Sequence, residues 1–324
     1  MKAVIYSKYG SYDQLKLVDI EKPSPKEDEV RIKVAATSLN ISDVLSLQGK
    51  PYLVRFFQGL FKPKFPILGG DVAGTVEAIG AKISGFKIGD KVFGDLSDAG
   101  RGAMAEYVCV KEHLIAIAPT TVGLVEAAAA PLACFTALQA IRDYGKLKEG
   151  EEILINGASG SVGNFAIQIS KSYGANVTAV CSTKHIERAK ELGADLVIDY
   201  KKMSFVNDDK TYDVILGVNG YQRLSEYRDC LKDHGRYVMI GGTGKQLFEG
   251  MALAGFASKG SKKLMPMGMA KQSNKDLLYI KSLYEEGKLK SPIDKKFPLT
   301  QSKEAFKYEM EGHPSGKVII EVLK

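Results

Sequence analysis

Ile153, Leu154 and Ile155 run into Asn156, Gly157, Ala158, Ser159, Gly160, Ser161, Val162 and Gly163, after which apolar residues recur at helical spacing through Phe165, Ala166 and Ile169. That change of period predicts a strand, a tight turn and the start of a helix. A turn poor in β-carbons lets backbone N–H groups and the positive end of a helix dipole approach a pyrophosphate. Gly160 and Gly163 hold the second and third glycine positions of the dinucleotide pattern, Ala158 takes the first, and Gly157 precedes it. Ordinary loops also contain glycines, so the context must carry the reading. Ala158, Ser159, Gly160, Ser161, Val162 and Gly163 are expected to cradle the phosphates of a dinucleotide.

The elements that position this turn follow it. Apolar runs of strand length occur at 176–181, 195–199, 213–216 and 236–240, with helical stretches at 185–192 and 221–231 between them. Alternating units with strands this apolar describe a parallel sheet covered on both faces. Where the second strand ends, an NADH site usually carries Asp or Glu about 20 residues past the turn, whereas a 2′-phosphate needs hydroxyls and cations. The chain there reads Cys181, Ser182, Thr183, Lys184 and His185, without a carboxylate. Ser182, Thr183 and Lys184 suit a phosphate dianion, although the same residues also suit a solvated polar loop. The expected cofactor is therefore NADPH. Val218 and Asn219 end the fourth strand and Gly241 and Gly242 follow the fifth, at the strand ends where ligands of open α/β sheets gather.

A chain of 324 residues exceeds the usual single-core limit, so two domains are expected. Hydrophobic residues at 45% and charged residues at 26% describe a globular protein. The net charge of +7 is spread over scattered lysines without an arginine-rich block; a nucleic-acid or membrane surface is one reading, but such lysines are more often solvated faces, so no nucleic-acid partner is expected, and the excess favours an anionic cofactor at long range. No apolar run reaches the roughly 18 to 20 residues of a membrane span, and Met1 to Tyr6 reads directly as a strand without a targeting segment. Cys109, Cys134, Cys181 and Cys230 are far apart and lie in or beside apolar runs, as reduced thiols of a cytoplasmic protein would.

From Met1 to about Pro119 the pattern is of short strands, at 15–18, 29–34, 73–79, 90–93 and 105–110, punctuated by Gly and Pro. One helix is expected near Ser42 and Asp43, carrying Val44, Leu45 and Leu47, and another over 276–284 with Gly287 as its stop. Strands at 262–269 and 317–323 complete the two halves.

The stretch from Gly69 to Gly80, then 86–92 and 105–107, then Val125 to Ala133, Thr136 and Ala137, the glycine-rich turn, and the closing Gly316 to Ile320 together resemble the medium-chain dehydrogenase/reductase superfamily along nearly the whole chain. The resemblance implies an α/β fold: a GroES-like β-rich catalytic domain, placed at 1–121 and 268–324, and a doubly wound parallel Rossmann cofactor domain at 122–267. Zinc-dependent members bind a catalytic metal with a Cys, a His-Glu pair and a third ligand. Those places here hold Asn40, Gly70 with Asp71, and Ala133 with Cys134 one residue late, and the structural-zinc loop, 95–102, has no cysteine. His113, His185, His234 and His313 are scattered and expected at the surface or in loops. No metal is expected.

The branch most similar is the zinc-independent quinone oxidoreductase-like group, which reduces quinones or the C=C bond of α,β-unsaturated carbonyls with NADPH. Its Ser-hydrophobe-Asn-x-x-Asp motif is matched from Ser38 to Asp43. By resemblance Asn40 contacts the cofactor or the acceptor carbonyl and Asp43 fixes the local geometry, though Asp43 or Ser42 could simply cap the following helix. Tyr52 would stand over the pocket, and the aromatic stretch 52–61 is either a lid or a core or dimer contact. Thr136 would lie near the nicotinamide and Tyr200 against the 2′-phosphate, with Lys317 among the cofactor-binding residues. Met265 and Met267 face the inter-domain cleft or fill the core. The expected reaction is hydride transfer to a small-molecule acceptor by a homodimer, with enolate charge met by hydrogen-bond donors and the proton drawn from solvent. An enoyl-thioester reductase and a non-catalytic NADPH-binding or RNA-binding protein are the alternatives.

Overall fold

The computed structural model describes residues 1–52, 54–207, 209–311 and 314–322, without the side chains of Val54 and Phe57. In chain order the elements begin with β1 (Lys2–Ile5), β2 (Lys16–Asp19), β3 (Glu29–Ser38), α1 (Ile41–Gln48), α2 (Val54–Gln58), β4 (Asp71–Ile79), β5 (Lys91–Asp95), β6 (Tyr107–Lys111), β7 (Ile115–Ile117) and α3 (Leu124–Ala127). Then come α4 (Pro131–Gln139), β8 (Glu152–Asn156), α5 (Ser161–Ser172), β9 (Asn176–Cys181), α6 (Ile186–Glu191), β10 (Leu196–Asp199), β11 (Tyr212–Gly217), α7 (Leu224–Asp229), β12 (Leu231–Met239), α8 (Gly244–Ala257) and β13 (Lys263–Pro266). The chain closes with α9 (Asn274–Glu285), β14 (Ile293–Pro298), α10 (Ser302–Glu311) and β15 (Lys317–Glu321). Leu323, the expected end of the last strand, lies outside the described residues.

Two compact units result, one of 1–132 with 272–287 and 291–324, the other of 133–271 with 288–290. The expected boundaries at 121 and 268 therefore move. Helix α3 stays with the first unit because it packs on β3, β4 and β5. Residue 271 stays with the second, since Gln139 and Lys271 exchange hydrogen bonds of 2.7 and 2.9 Å. Asn274 Nδ2 donates to Ile115 O at 2.8 Å and so ties the start of α9 to the first unit.

In the first unit a seven-stranded sheet has the order β14-β15-β3-β4-β5-β7, with β6 also pairing β3, and β1 pairs with β2 beside it. Its core is the inward face of the long strands, Val30, Ile32, Val34, Val72, Val76, Val92 and Ile115, all with almost no exposure. A second cluster, including Leu39, Leu47, Leu68, Phe306 and Ile320, packs α1 and α10 against the sheet. Strand β7 and helix α10 went unread in the sequence. The first is only three residues long, and the second carries five charged residues in ten (Lys303, Glu304, Lys307, Glu309 and Glu311) that dilute its apolar stripe.

The second unit holds a parallel six-stranded sheet of order β10-β9-β8-β11-β12-β13. Strands buried on both faces must be continuously apolar, and Ile153, Leu154, Ile155, Val214, Ile215 and Leu216 are fully buried. Tyr227 stacks on Tyr237 with ring centroids 4.2 Å apart, filling the space beneath β12. The order reverses between β8 and β11, so the turns that follow these two strands lie side by side. Val218 and Asn219 donate their backbone N–H groups to Asn156 O at 2.9 and 3.2 Å.

Candidate functional site

In the parallel unit, the turn after β8 uses its glycines for different reasons. Gly157 has φ +92°, and a β-carbon there would stand 2.6 Å from Asn219 N; one on Gly163 would stand 2.3 Å from Gly157 O, so α5 could not pack so closely on the turn. Gly160 differs. A β-carbon at this position would meet nothing of the protein nearer than Gly157 O at 3.9 Å, so the fold does not require the glycine and its open side faces away from the chain's own atoms. Helix α5 begins there without a side-chain cap and without an acid in its first turn. The N–H groups and the positive dipole end of a helix start of this kind form an anion site. Ser159, Ser161 and Val162 are half-buried beside it, while Ala158 is buried and donates its N–H to Val180 O at 3.0 Å. Ala158 thus sets the shape of the turn. The residues fit a pyrophosphate.

The neighbouring strand end contains a group that the sequence reading missed. Asp199, last residue of β10, pairs in register with Cys181 at the end of β9. Its Oδ2 accepts from Thr183 Oγ1 at 2.7 Å and its Oδ1 from Lys201 N at 3.1 Å. The Thr183 hydrogen bond, ahead of the backbone bond and the adjacent lysines, holds its carboxyl below the usual range. A carboxylate does stand here, brought by the next strand rather than by the residues after β9. A threonine hydroxyl has one proton, so Thr183 cannot give the same proton to a phosphate. Ser182 is buried, whereas Lys184, Tyr200, Lys201 and Lys202 are exposed. The signal was an aspartate closing an apolar strand immediately before Tyr200, Lys201 and Lys202.

Most of the remaining expected residues of this unit lie along the same strand ends. Val218 is half-buried and Asn219 exposed after β11. Gly241 donates its N–H to Gly217 O at 3.1 Å, and Gly242 has φ +134° where a β-carbon would meet Gly220 O at 2.9 Å. Thr136 is half-buried on α4. Met265 is half-buried, whereas Met267 is buried with its N–H on Met239 O. Of the surface or loop position expected for His185 the loop holds and the surface does not: it is buried where the short turn 183–185 ends and α6 begins. His313 lies outside the described residues.

In the first unit, three strand termini bring polar groups into the interior. Ser38 ends β3, Asp71 opens β4 and Lys317 opens β15, with no exposure at any of the three. Asp71 Oδ2 accepts from Ser38 Oγ, from Asn40 Nδ2 at 2.8 Å and from Lys317 Nζ at 3.1 Å, and its Oδ1 accepts from Leu132 N at 2.8 Å. Lys317 Nζ also donates to Asn40 Oδ1 at 2.7 Å and Leu39 O at 3.1 Å. Both ends of the Asn40 amide are thereby engaged inside the unit, and the Lys317 ammonium has three acceptors. Their side chains build the frame of this region. Asp43 accepts from Asn40 N and Gly69 N, each at 3.1 Å, and faces Arg101 at 3.4 Å. It both caps α1 and ties it to the segment before β4.

This interior is rich in carboxylates. Burial raises Asp43 despite the Arg101 guanidinium. Burial, reinforced by Asp71 directly across the β4–β5 pair, pushes Asp95 up to about 7. Burial also takes Glu309 to about 7, with Lys317 opposing the shift and Asp43 and Asp294 adding to it. The positions where zinc-dependent relatives carry ligands do not fit a metal: Asn40 and Asp71 are saturated by Lys317 and by each other. Among the described residues, no three His, Cys, Asp or Glu side chains converge on a common point. Tyr52 is 68% exposed with the Arg55 guanidinium 5.0 Å from its ring centroid, and Phe56 and Phe61 are more exposed still. Leu53 lies outside the described residues. No described helix is long and apolar enough to cross a membrane.

Residues 26–120 match the alcohol dehydrogenase GroES-like domain family and residues 192–320 the zinc-binding dehydrogenase family. The chain is 37% identical to the chloroplastic quinone-oxidoreductase homolog of Spinacia oleracea, across 99% of this chain and 98% of that protein. It is 34% identical to the chloroplastic NADPH-dependent alkenal/one oxidoreductase of Arabidopsis thaliana, across 99% of this chain and 79% of that one. Among solved structures, the quinone oxidoreductase from Coxiella burnetii superposes with a TM-score of 0.88 at 28% identity, covering 100% of this chain and 99% of its own.

Proposed function

The chain belongs to the medium-chain dehydrogenase/reductase superfamily, in its quinone oxidoreductase-like branch, and from that premise we propose that it transfers a hydride from NADPH to a quinone or to the C=C bond of an α,β-unsaturated carbonyl. As a member it is an oxidoreductase with a dinucleotide-binding domain. The observation that carries the reading is the start of α5, where Gly160 leaves the approach open and neither a cap nor an acid competes for the helix N-terminus. Ser159, Ser161 and Val162 would flank the pyrophosphate. Val218, Asn219, Gly241 and Gly242 would follow the nucleotide along the strand ends, Thr136 would lie near the nicotinamide, and Lys184 and Tyr200 would meet the 2′-phosphate. When bound, NADPH supplies the hydride.

The first unit contributes rigidity. Asn40 is held at both ends of its amide, so its part is to keep the segment between β3 and α1 in one position, with Asp43 as the second anchor. Metal independence belongs to the same reading and is supported by the saturated donors at Asn40 and Asp71. So does a homodimer, for which the edge strand β13 and the exposed Phe248, Met251 and Phe256 of α8 offer a surface. A reducing, cytoplasmic setting suits four cysteines that form no disulfide, of which burial raises the Cys109 and Cys181 thiols to about 11.

The test is direct. NADPH and NADH are titrated by calorimetry, and oxidation of the reduced nicotinamide is followed with a panel of quinones, alkenals and enoyl thioesters, before and after chelator treatment. Tight NADPH binding with turnover of quinones or alkenals, undiminished by chelation, supports the proposal. Turnover confined to thioesters redirects it to the alternative acceptor, and the absence of any nucleotide binding ends it.

A further inference from the structure

The loop after β9 and the loop after β10 are separate in sequence, yet one carboxylate holds both. Asp199 accepts the Thr183 hydroxyl with Oδ2 and the Lys201 N–H with Oδ1, while its own carbonyl accepts from Lys202 N at 2.9 Å and Met203 N at 3.0 Å. Tyr200 N donates back to Cys181 O at 3.1 Å, closing the link from the other side. Asp199 is 9% exposed, but the groups it organises are all at the surface: Lys184 beside Thr183 on one loop, Tyr200, Lys201 and Lys202 on the other.

We propose that Asp199 is a positioning residue for nucleotide discrimination, fastening the Thr183–Lys184 loop to the Tyr200–Lys202 turn so that their cations face one 2′-phosphate together. This rests on the proposed preference for NADPH. Its chemical content is a division of labour. Thr183 gives its only hydroxyl proton to Asp199 and serves as the other half of the fastening, and the phosphate is met by the ammonium groups. A carboxylate near a dianion is repulsive if it faces the dianion bare. With each oxygen occupied by a donor, Asp199 has its charge partly satisfied inside the loop, and three nearby lysines outweigh it. The same arrangement explains why a buried acid is tolerated at a strand end that must receive an anion.

The experiment compares 2′,5′-ADP with 5′-AMP, two probes that differ only in the phosphate at issue, by calorimetry on the full chain. The variants are Asp199→Ala, Asp199→Asn, Thr183→Val and the Asp199→Ala/Thr183→Val pair, with thermal unfolding recorded for each. Asp199→Ala and Thr183→Val are each expected to weaken 2′,5′-ADP by about fivefold to tenfold, the loss of one hydrogen bond to a charged group, while 5′-AMP stays within about twofold. The double variant should be no weaker than either single one, and Asp199→Asn, which keeps an acceptor for Thr183, should restore most of the difference. Tighter 2′,5′-ADP binding in Asp199→Ala would show a carboxylate that opposes the phosphate and would overturn the inference. So would additive losses, unchanged affinities, or a parallel loss of both probes. A wild-type protein that binds the two probes alike refutes the NADPH reading, and the inference with it; a discriminating wild type with indifferent variants refutes the inference alone.

Discussion

In the first unit Asp71 and Lys317 lie 3.1 Å apart with no solvent exposure, whereas in the second unit Lys184, Lys201 and Lys202 stand in solvent around Asp199, itself nearly buried. The interior charges are matched partner by partner: Asp71 has four donors and Lys317 three acceptors. At the surface the cations outnumber the acid and keep free valence. Removing a charge from a saturated interior leaves its partner stranded in low dielectric, while removing one from the rim changes what the rim can hold. The first region should therefore respond to mutation through stability and the second through binding.

The largest effect expected is that of Lys317→Met, which strands the Asp71 carboxylate and should cost about 3 to 5 kcal/mol in a urea unfolding series. Adding Asp71→Asn should recover part of that loss, and a Lys317→Met protein as stable as the wild type would dissolve the contrast between the regions. Next comes a pair of glycines in one turn. Gly163→Ala drives a β-carbon to within 2.3 Å of Gly157 O and should both destabilise the protein and abolish nucleotide binding. Gly160→Ala has room within the protein and should leave the unfolding midpoint nearly unchanged while weakening NADPH, which separates ligand space from packing space.

Smaller is the effect of Ser182→Asp, which adds a carboxylate beside the proposed phosphate contacts and should lower NADPH affinity by about tenfold and shift preference toward NADH, as read in parallel titrations. A pH slope belongs to the first unit. Asp95 and Glu309 have folded-state values raised to about 7 from 3.8 and 4.5, so the folded protein retains protons that the unfolded chain releases. Their contribution to stability is fully present below the unfolded values and is lost as pH climbs through about 7. Thermal unfolding from pH 4 to pH 8 should show the decline, and Asp95→Asn should flatten it.

The parallel sheet and its turn were readable because both are local: continuous apolar runs of strand length need two covered faces, and the run from Ile155 to Gly163 changes period within a few residues. Helix α1 was readable from Val44, Leu45 and Leu47, and α9 from its spacing and the stop at Gly287. Helix α8 was not, since Leu247, Phe248, Met251, Leu253 and Phe256 are exposed and trace no inward stripe. Asn40 and Lys317 were both singled out, on motif resemblance, but nothing in their spacing says that they are bonded to each other.

By itself, the order of residues determined the two kinds of secondary structure, the glycine-rich turn and the family, because each is written in runs of fewer than about twenty residues where period and glycine placement act directly. Tertiary structure alone decided which charges meet. Thr183 and Asp199 are 16 residues apart and Asp71 and Lys317 are 246 apart, and each pair is brought together by strand register. Coulomb energy and desolvation depend on distance through space, and a linear pattern carries no record of it.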